Sequence, residues 1–272
     1  MRSESTYRPA ALGATLAVSL LVMAVMPPCP AVGLDLFTLW RQPMIPLHMI
    51  PGSWADYKLV TLEQGRQSEN LLRVQCVERI EEAPRGWIVE LLHLQEVEDG
   101  LVVVPGEGLR LYLSDQLLRR DSELAQVVQK VVRWQAGEPR ELLPAEWRDD
   151  PLVQSSLTRE FVPDEIAFLG ETVRVARARK LDCDQFQLTA ADTQVVDLPR
   201  GRLEQITHWE VTAAVSADIP FLGIAYAAER SRAESRLDPP SDRFTPPPPV
   251  TRIETMELIA FGNKAIPALV AR

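Results

Sequence analysis

The sequence predicts a mainly β protein in which long antiparallel strands follow one another as a meander, with one or two short helices. Three observations lead there. Alternating apolar and polar residues recur from Trp54 onward, as in Leu72-Arg73-Val74-Gln75-Cys76, and a period of two places successive side chains on opposite faces of a strand. Turn residues stand at Glu63-Gln64-Gly65, Pro84-Arg85-Gly86 and Asp99-Gly100, roughly 15–20 residues apart. Connections that short join only antiparallel neighbours.

Taken in order, residues 34–50 are apolar and proline-punctuated and read as an extended lead-in. WADYKLVTLEQG, NLLRVQCVERIEEAPRG, GWIVELLHLQEVEDG and EGLRLYLSD then read as strands. DSELAQVVQKVV (121–132) puts Leu124, Val127, Val128, Val131 and Val132 on one helical face, with Asp121 or Ser122 as N-cap. VVQKVVRW is equally β-branched, so the reading is a short helix running into a strand that ends at Ala136-Gly137. Pro139, Pro144, Pro151 and Pro163 make 139–164 a mostly irregular connection. Strands resume at DEIAFLGETVRVARARKLDCDQFQLTAA, where the alternation slips near Ala176 as at a bulge or bend. Arg174, Arg177, Arg179 and Lys180 form a basic run that reads as a solvated strand face beside acids. Residues 232–250, RAESRLDPPSDRFTPPPPV, read as a polar, proline-stiffened loop. TRIETMELIAF is a last strand and NKAIPALVAR a tail.

The leader sets the compartment. MRSESTYRPA carries Arg2 and Arg8, the run 11–26 has no charge over about 16 residues, and Ala31 and Gly33 supply small residues near its end. These are the parts of a secretory signal peptide, and the run is shorter than the roughly 20 residues of a membrane span. Residues 1–33 are therefore expected to be a signal peptide, with a retained anchor as the rival. The expected location is the periplasm or cell envelope, and membrane association stays open. About 239 residues follow, enough for one domain over 51–272. The net charge is −9, which argues against nucleic acid as a partner. Cys76 and Cys183 read as buried hydrophobes on separate strands or as a disulfide, with the first reading favoured.

HWEVTAAVSADIPFLGIAYAAERS (208–231) holds His208, Ser216 and Asp218 close together. His208 stands eight residues along a strand from Ser216, about 25 Å if extended. SADIP therefore reads as a corner between strands, with Pro220 fixing φ where the ladder stops. Trp209, Val211, Ala213 and Val215 are expected on one face, and Leu222, Ile224 and Tyr226 on one face. His48, His93 and His208 are isolated and show no zinc spacing. PGEGLR lacks the Lys-Ser/Thr of a phosphate loop. Asp182 and Asp184 lack the rest of a calcium loop. Glu78, Glu90 and Glu96 could supply a carboxylate pair across strands, although exposed strand acids are far commoner. No catalytic residue, metal or cofactor is assigned.

PGSWADY (51–57), GWIVEL (86–91), GETVRVARARKLDCDQFQL (170–188), HWEVTAAVSADIPFLGIAY (208–226) and TMELIAFGNKA (255–265) together resemble a group of uncharacterised secreted bacterial envelope proteins. The chain departs from that group in Ile219-Pro220, where Val-Pro is usual, and in its long basic run before Cys183. The resemblance implies an antiparallel sheet curved like the half-barrels of LolA/LolB/LppX-type lipoprotein carriers, a more distant similarity of architecture, and it implies no catalytic role.

A long curved sheet has a concave apolar face that a helix, a loop or a ligand must cover. Trp54, Tyr57, Trp87, Leu91, Trp134, Trp209, Leu222 and Tyr226 are the expected lining, either as a ligand site or as an ordinary filled core. The expected function is non-enzymatic: a lipid or other apolar ligand held on the concave face. The alternative is a protein-interaction or assembly module of the cell envelope.

Overall fold

The computed structural model describes residues 39, 42–119, 122, 124–143, 146, 163–198, 201–238 and 248–270, all within a compact unit spanning Val32–Arg272. The expected leader, 1–33, lies outside them. Eleven strands form one open antiparallel sheet. They are β1 (Trp54–Glu63), β2 (Arg66–Ile80), β3 (Gly86–Val97), β4 (Gly100–Ser114), β5 (Val128–Gln135), β6 (Glu138–Leu142), β7 (Glu165–Ala176), β8 (Arg179–Leu198), β9 (Gly201–Val215), β10 (Ile224–Asp238) and β11 (Val250–Gly262). Their order is β6-β5-β4-β3-β2-β1-β11-β10-β9-β8-β7. Two meanders, β1–β6 and β7–β11, thus meet where β1 pairs with β11 from Trp54↔Gly262 to Glu63↔Arg252. The sheet curls, and brings the Arg174 guanidinium 4.4 Å from the Tyr226 ring and the Arg179 guanidinium 4.7 Å from the Phe261 ring.

The helix-then-strand reading of 121–132 matches the helical turn Leu124–Val127 that runs directly into β5. Two expectations need correction. Residues 138–142 form β6, despite Pro139, because an edge strand needs no N–H on its outer side. Residues 232–238 continue β10, since Arg232, Glu234 and Arg236 alternate with Ala233, Ser235 and Leu237 across the ladder to β9. Residues 239–247 of the expected loop lie outside the described residues.

The slip near Ala176 is a two-residue hairpin. Arg177 and Ala178 turn with φ of 44° and 63°, whereas the corresponding turns Gln64-Gly65 and Ala136-Gly137 place glycine second. Left-handed backbone costs a residue with a Cβ about 1–2 kcal/mol. Ala178→Gly is expected to stabilise by about 1 kcal/mol, which raises Tm by roughly 2–4 °C in a domain of this size. A thermal melt with an unchanged or lower midpoint would contradict this.

One face of the sheet, here the inner face, carries the main core: Tyr57, Leu72, Val74, Cys76, Trp87, Val89, Leu91, Leu109, Leu111, Val211, Ala213, Met256 and Leu258. Cys76 and Cys183 are buried and not bonded to each other. Burial pushes the Cys76 thiol up to about 12 and raises that of Cys183. Both should stay unlabelled by a maleimide in the native state at neutral pH and react on unfolding, as read by mass spectrometry of the labelled peptides. A thiol held protonated by the fold favours the folded state below its ordinary value, and that contribution is lost as pH climbs from about 9 toward 12.

Candidate functional site

The inner face over β2–β4 is covered by two segments that come from outside the ladder of long strands. The first is the lead-in, residues 42–50. The second is the corner 216–223, closed by a hydrogen bond from the Ser216 amide to the Gly223 carbonyl (2.7 Å). The two segments clasp each other through an isolated bridge, in which the His48 amide donates to Phe221 O (2.7 Å) and the Phe221 amide donates to His48 O (2.9 Å). Pro46 lies over Gly223, where a Cβ would stand 2.3 Å from Pro46 Cγ. The lead-in therefore works as a strap.

Under the strap, Leu47, Met49, Phe221, Leu222 and Leu117 face Val74, Val89, Leu91, Leu111 and Leu113 around an apolar cleft of about 50 Å³. No polar surface lines it. Beside it, at the strap's other flank, a larger cleft of about 290 Å³ is bordered by His48, Ser53, Arg179, Asp218, Phe261 and Asn263. Arg179 Nη2 stands 3.8 Å from Asp218 Oδ2, and both side chains are mostly exposed. Such a loose, solvated pair contributes little, which leaves the guanidinium available to an anion.

Of the eight expected lining residues, Leu91 and Leu222 border the apolar cleft. Tyr57 and Trp87 are buried in the same core, and Trp87 pairs with the lining residue Leu113. Tyr57 Oη and Trp87 Nε1 are buried donors with no hydrogen-bond partner among the described residues. Burial pushes the Tyr57 phenol well above its usual range, with the Asp56 carboxylate adding to it. Trp209 shares the face of Val211 but lies farther along β9, packed with Ala190.

The other three stand elsewhere. Trp54 pairs with Gln75 on the outer face, under the Arg73 guanidinium at 4.4 Å. Trp134 is buried on that outer face with Leu92 and Leu269. Tyr226 is turned by a bulge between Ile224 and Tyr226, so that it opposes Ala214 while Ile224 opposes Val215. The expectation that Ile224 and Tyr226 share a face is thereby corrected. The sequence reading missed Leu47, Met49 and Phe221; the alternation of Leu47 and Met49 about His48 was the available signal.

The outer face has its own cover. Residues 263–270 run across it, held by Gln75 Nε2 donating to Ile266 O (3.0 Å), the Ala268 amide donating to Glu90 Oε2 (3.0 Å) and Arg110 Nη2 donating to Leu269 O. Glu90 is fully buried and also accepts from Gln75 Nε2 (2.7 Å) and Arg110 Nε (3.1 Å). It is a structural acid, whereas Glu78 and Glu96 are exposed. These three carboxylates are therefore not assembled as the pair weighed from sequence. His208 sits in mid-ladder opposite Ala191 and Arg232, and SADIP is a corner, as expected.

Among the described residues no helix is long and apolar enough to cross a membrane. No family model and no curated protein matches the chain. It is distantly similar to solved structures. A DUF1329 family protein from Desulfovibrio piger aligns over 82% of this chain and 91% of its own, at 8% identity and a TM-score of 0.29. A LolA superfamily protein from Nitrosomonas europaea aligns over 87% and 96%, at 8% identity and 0.26. An exported protein with a YmcC-like fold from Bacteroides fragilis aligns over 80% and 100%, at 8% identity and 0.21. Superpositions at that level transfer no residue role.

Proposed function

We propose that this protein is a non-enzymatic envelope protein that binds an amphiphile. The acyl chain would lie on the inner face under the strap, and the acidic headgroup in the neighbouring cleft at Arg179 and His48. The observation that supports this reading is the adjacency of a wholly apolar cleft beneath the strap and a larger cleft of mixed lining at its flank, where His48, Arg179 and Asp218 supply polar groups, the strap itself being clasped by a single bridge. Residence in the periplasm or envelope rests on the leader-like residues 1–33.

Magnitudes say what binding requires. Ligand pockets measure roughly 300–1,000 Å³, so the cleft of about 50 Å³ cannot admit an acyl chain while the strap is seated. A chain of about twelve methylenes offers roughly 10 kcal/mol of burial, against about 3–6 kcal/mol for Leu47 and Met49 together. The ligand can therefore displace residues 47–49 of the strap, while Ile45 stays seated in the core. A carboxylate or phosphate at its end would form a charge-assisted hydrogen bond to Arg179.

Native mass spectrometry of protein purified from its own host is expected to show co-purified lipid, and the purified chain is expected to bind a fluorescent fatty acid. Arg179→Ala should weaken binding of an anionic amphiphile about tenfold and leave a neutral one unaffected. Absence of both lipid and fatty-acid binding would refute the reading. The alternative, an interaction module of the envelope, is favoured by a different feature, the edge of β7, which among the described residues pairs only with β8.

A further inference from the structure

The two edges of the sheet are unequal. β6 is five residues long and reads EPREL, with a proline and three charges; it is blunted in the way that deters edge-to-edge pairing. β7 is twelve residues long and reads EIAFLGETVRVA. Among the described residues its only strand neighbour is β8. Ile166, Phe168, Val173 and Val175 are exposed on it, the last three by more than half (59%, 57% and 59%). A long apolar edge of this kind is a template for another strand.

The register says which strand fits. β7 has a bulge between Phe168 and Gly170 against β8. Before it, Ile166 and Phe168 oppose Leu188 and Phe186; after it, Val173 opposes Asp182. The extra residue reverses the parity, so the even-numbered Ile166 and Phe168 and the odd-numbered Val173 and Val175 project from the same face. In a two-fold antiparallel pair, opposed residues must share a face. Only a strand with such a parity change can then place an even-numbered residue opposite an odd-numbered one.

We propose that β7 pairs with β7 of a second copy of this chain about a two-fold axis. Ile166 lies against the second copy's Val175, and Phe168 against its Val173. Because each pair occurs twice, four apolar cross-strand pairs form along one face. At both ends Asp164, whose Oδ2 accepts from the Ala191 amide (2.9 Å), falls opposite Arg177, and near the axis Glu171 falls opposite the second copy's Gly170, a position without a side chain. The contact is isologous and closes at two chains.

Sedimentation of the full chain is expected to give the mass of two chains in the micromolar range. Val173→Lys, at an exposed site that the fold does not need, introduces two buried lysines per dimer and should weaken association at least about tenfold. Circular dichroism should show it folded. A wild type that remains a single chain, one that grows beyond two, or a Val173→Lys variant that still pairs overturns the proposal. The register has its own test. With Cys29→Ser in place, Phe168→Cys with Val173→Cys should oxidise to a covalent dimer, whereas Ile166→Cys with Val173→Cys should not. The reverse result rejects the two-fold register.

Discussion

Replacing Glu90 with alanine is expected to cost about 3–5 kcal/mol, because removing one member of a buried charge pair strands the other. Glu90 is fully buried, while Arg110 is only partly exposed and Gln75 is buried beside it. Their donors converge on one carboxylate, and the Ala268 amide makes a further contact. With the carboxylate gone, Arg110 keeps only Leu269 O among these partners, and the tail loses its middle anchor. The midpoint of thermal unfolding should fall by roughly 6–20 °C at 2–4 °C per kcal/mol. Limited proteolysis should also cut residues 263–270 in the variant before the sheet is attacked. Glu90→Gln keeps an acceptor and should cost less. An alanine variant that melts within a few degrees of wild type, with its tail still protected, would show that this network is not what seats the tail.

Gly223→Ala should have a similar effect on the other face. The backbone there has φ of 63°, and the new Cβ would stand 2.3 Å from Pro46 Cγ and 2.8 Å from Ser216 O. The left-handed conformation alone costs about 1–2 kcal/mol and overpacking adds about 1–3 kcal/mol. The proline belongs to the strap, which is the part that can give way. The expected result is a loss of about 2–5 kcal/mol together with a strap lifted from the sheet, seen as faster hydrogen exchange at the His48 and Phe221 amides. Fluorescent fatty acid should then bind faster than to wild type, since the chain's path is already open. Destabilisation without faster uptake would separate the strap from ligand entry.

Strands were legible from sequence wherever one face is buried, because burial enforces alternation: Leu72, Val74 and Cys76 of β2 and Trp209 to Val215 of β9 stand as the pattern requires. Bulges were not legible. A single extra residue reverses every later position while leaving composition unchanged, and this displaced Tyr226 and obscured the shared face of Phe168 and Val173. The hairpin at Arg177-Ala178 escaped because neither residue is the glycine or asparagine such turns prefer. The site was half legible for a further reason. Large aromatics were assumed to face inward, yet Trp54 and Trp134 share the outer face with Gln75 and Leu92. Which rows line up depends on pairings between distant strands. Glu90, in the apolar run GWIVELLHL, looks like an ordinary exposed strand acid until the register brings Arg110 opposite it.

The seam between β1 and β11 joins segments about 200 residues apart in sequence, whereas every other rung of the ladder links consecutive strands. Loop-closure entropy rises only slowly with length, yet so distant a join is expected to form more slowly than the local hairpins. The strap leads into β1 and the tail leaves β11, one on each side of this seam. The strap, clasped to the corner that precedes β10, and the tail, bound to side chains of β2, β3 and β4, thus stitch one meander to the other. The two meanders should accordingly behave as complementary fragments: expressed separately, they should regain a native fold only when mixed, and only while both stitches are attached.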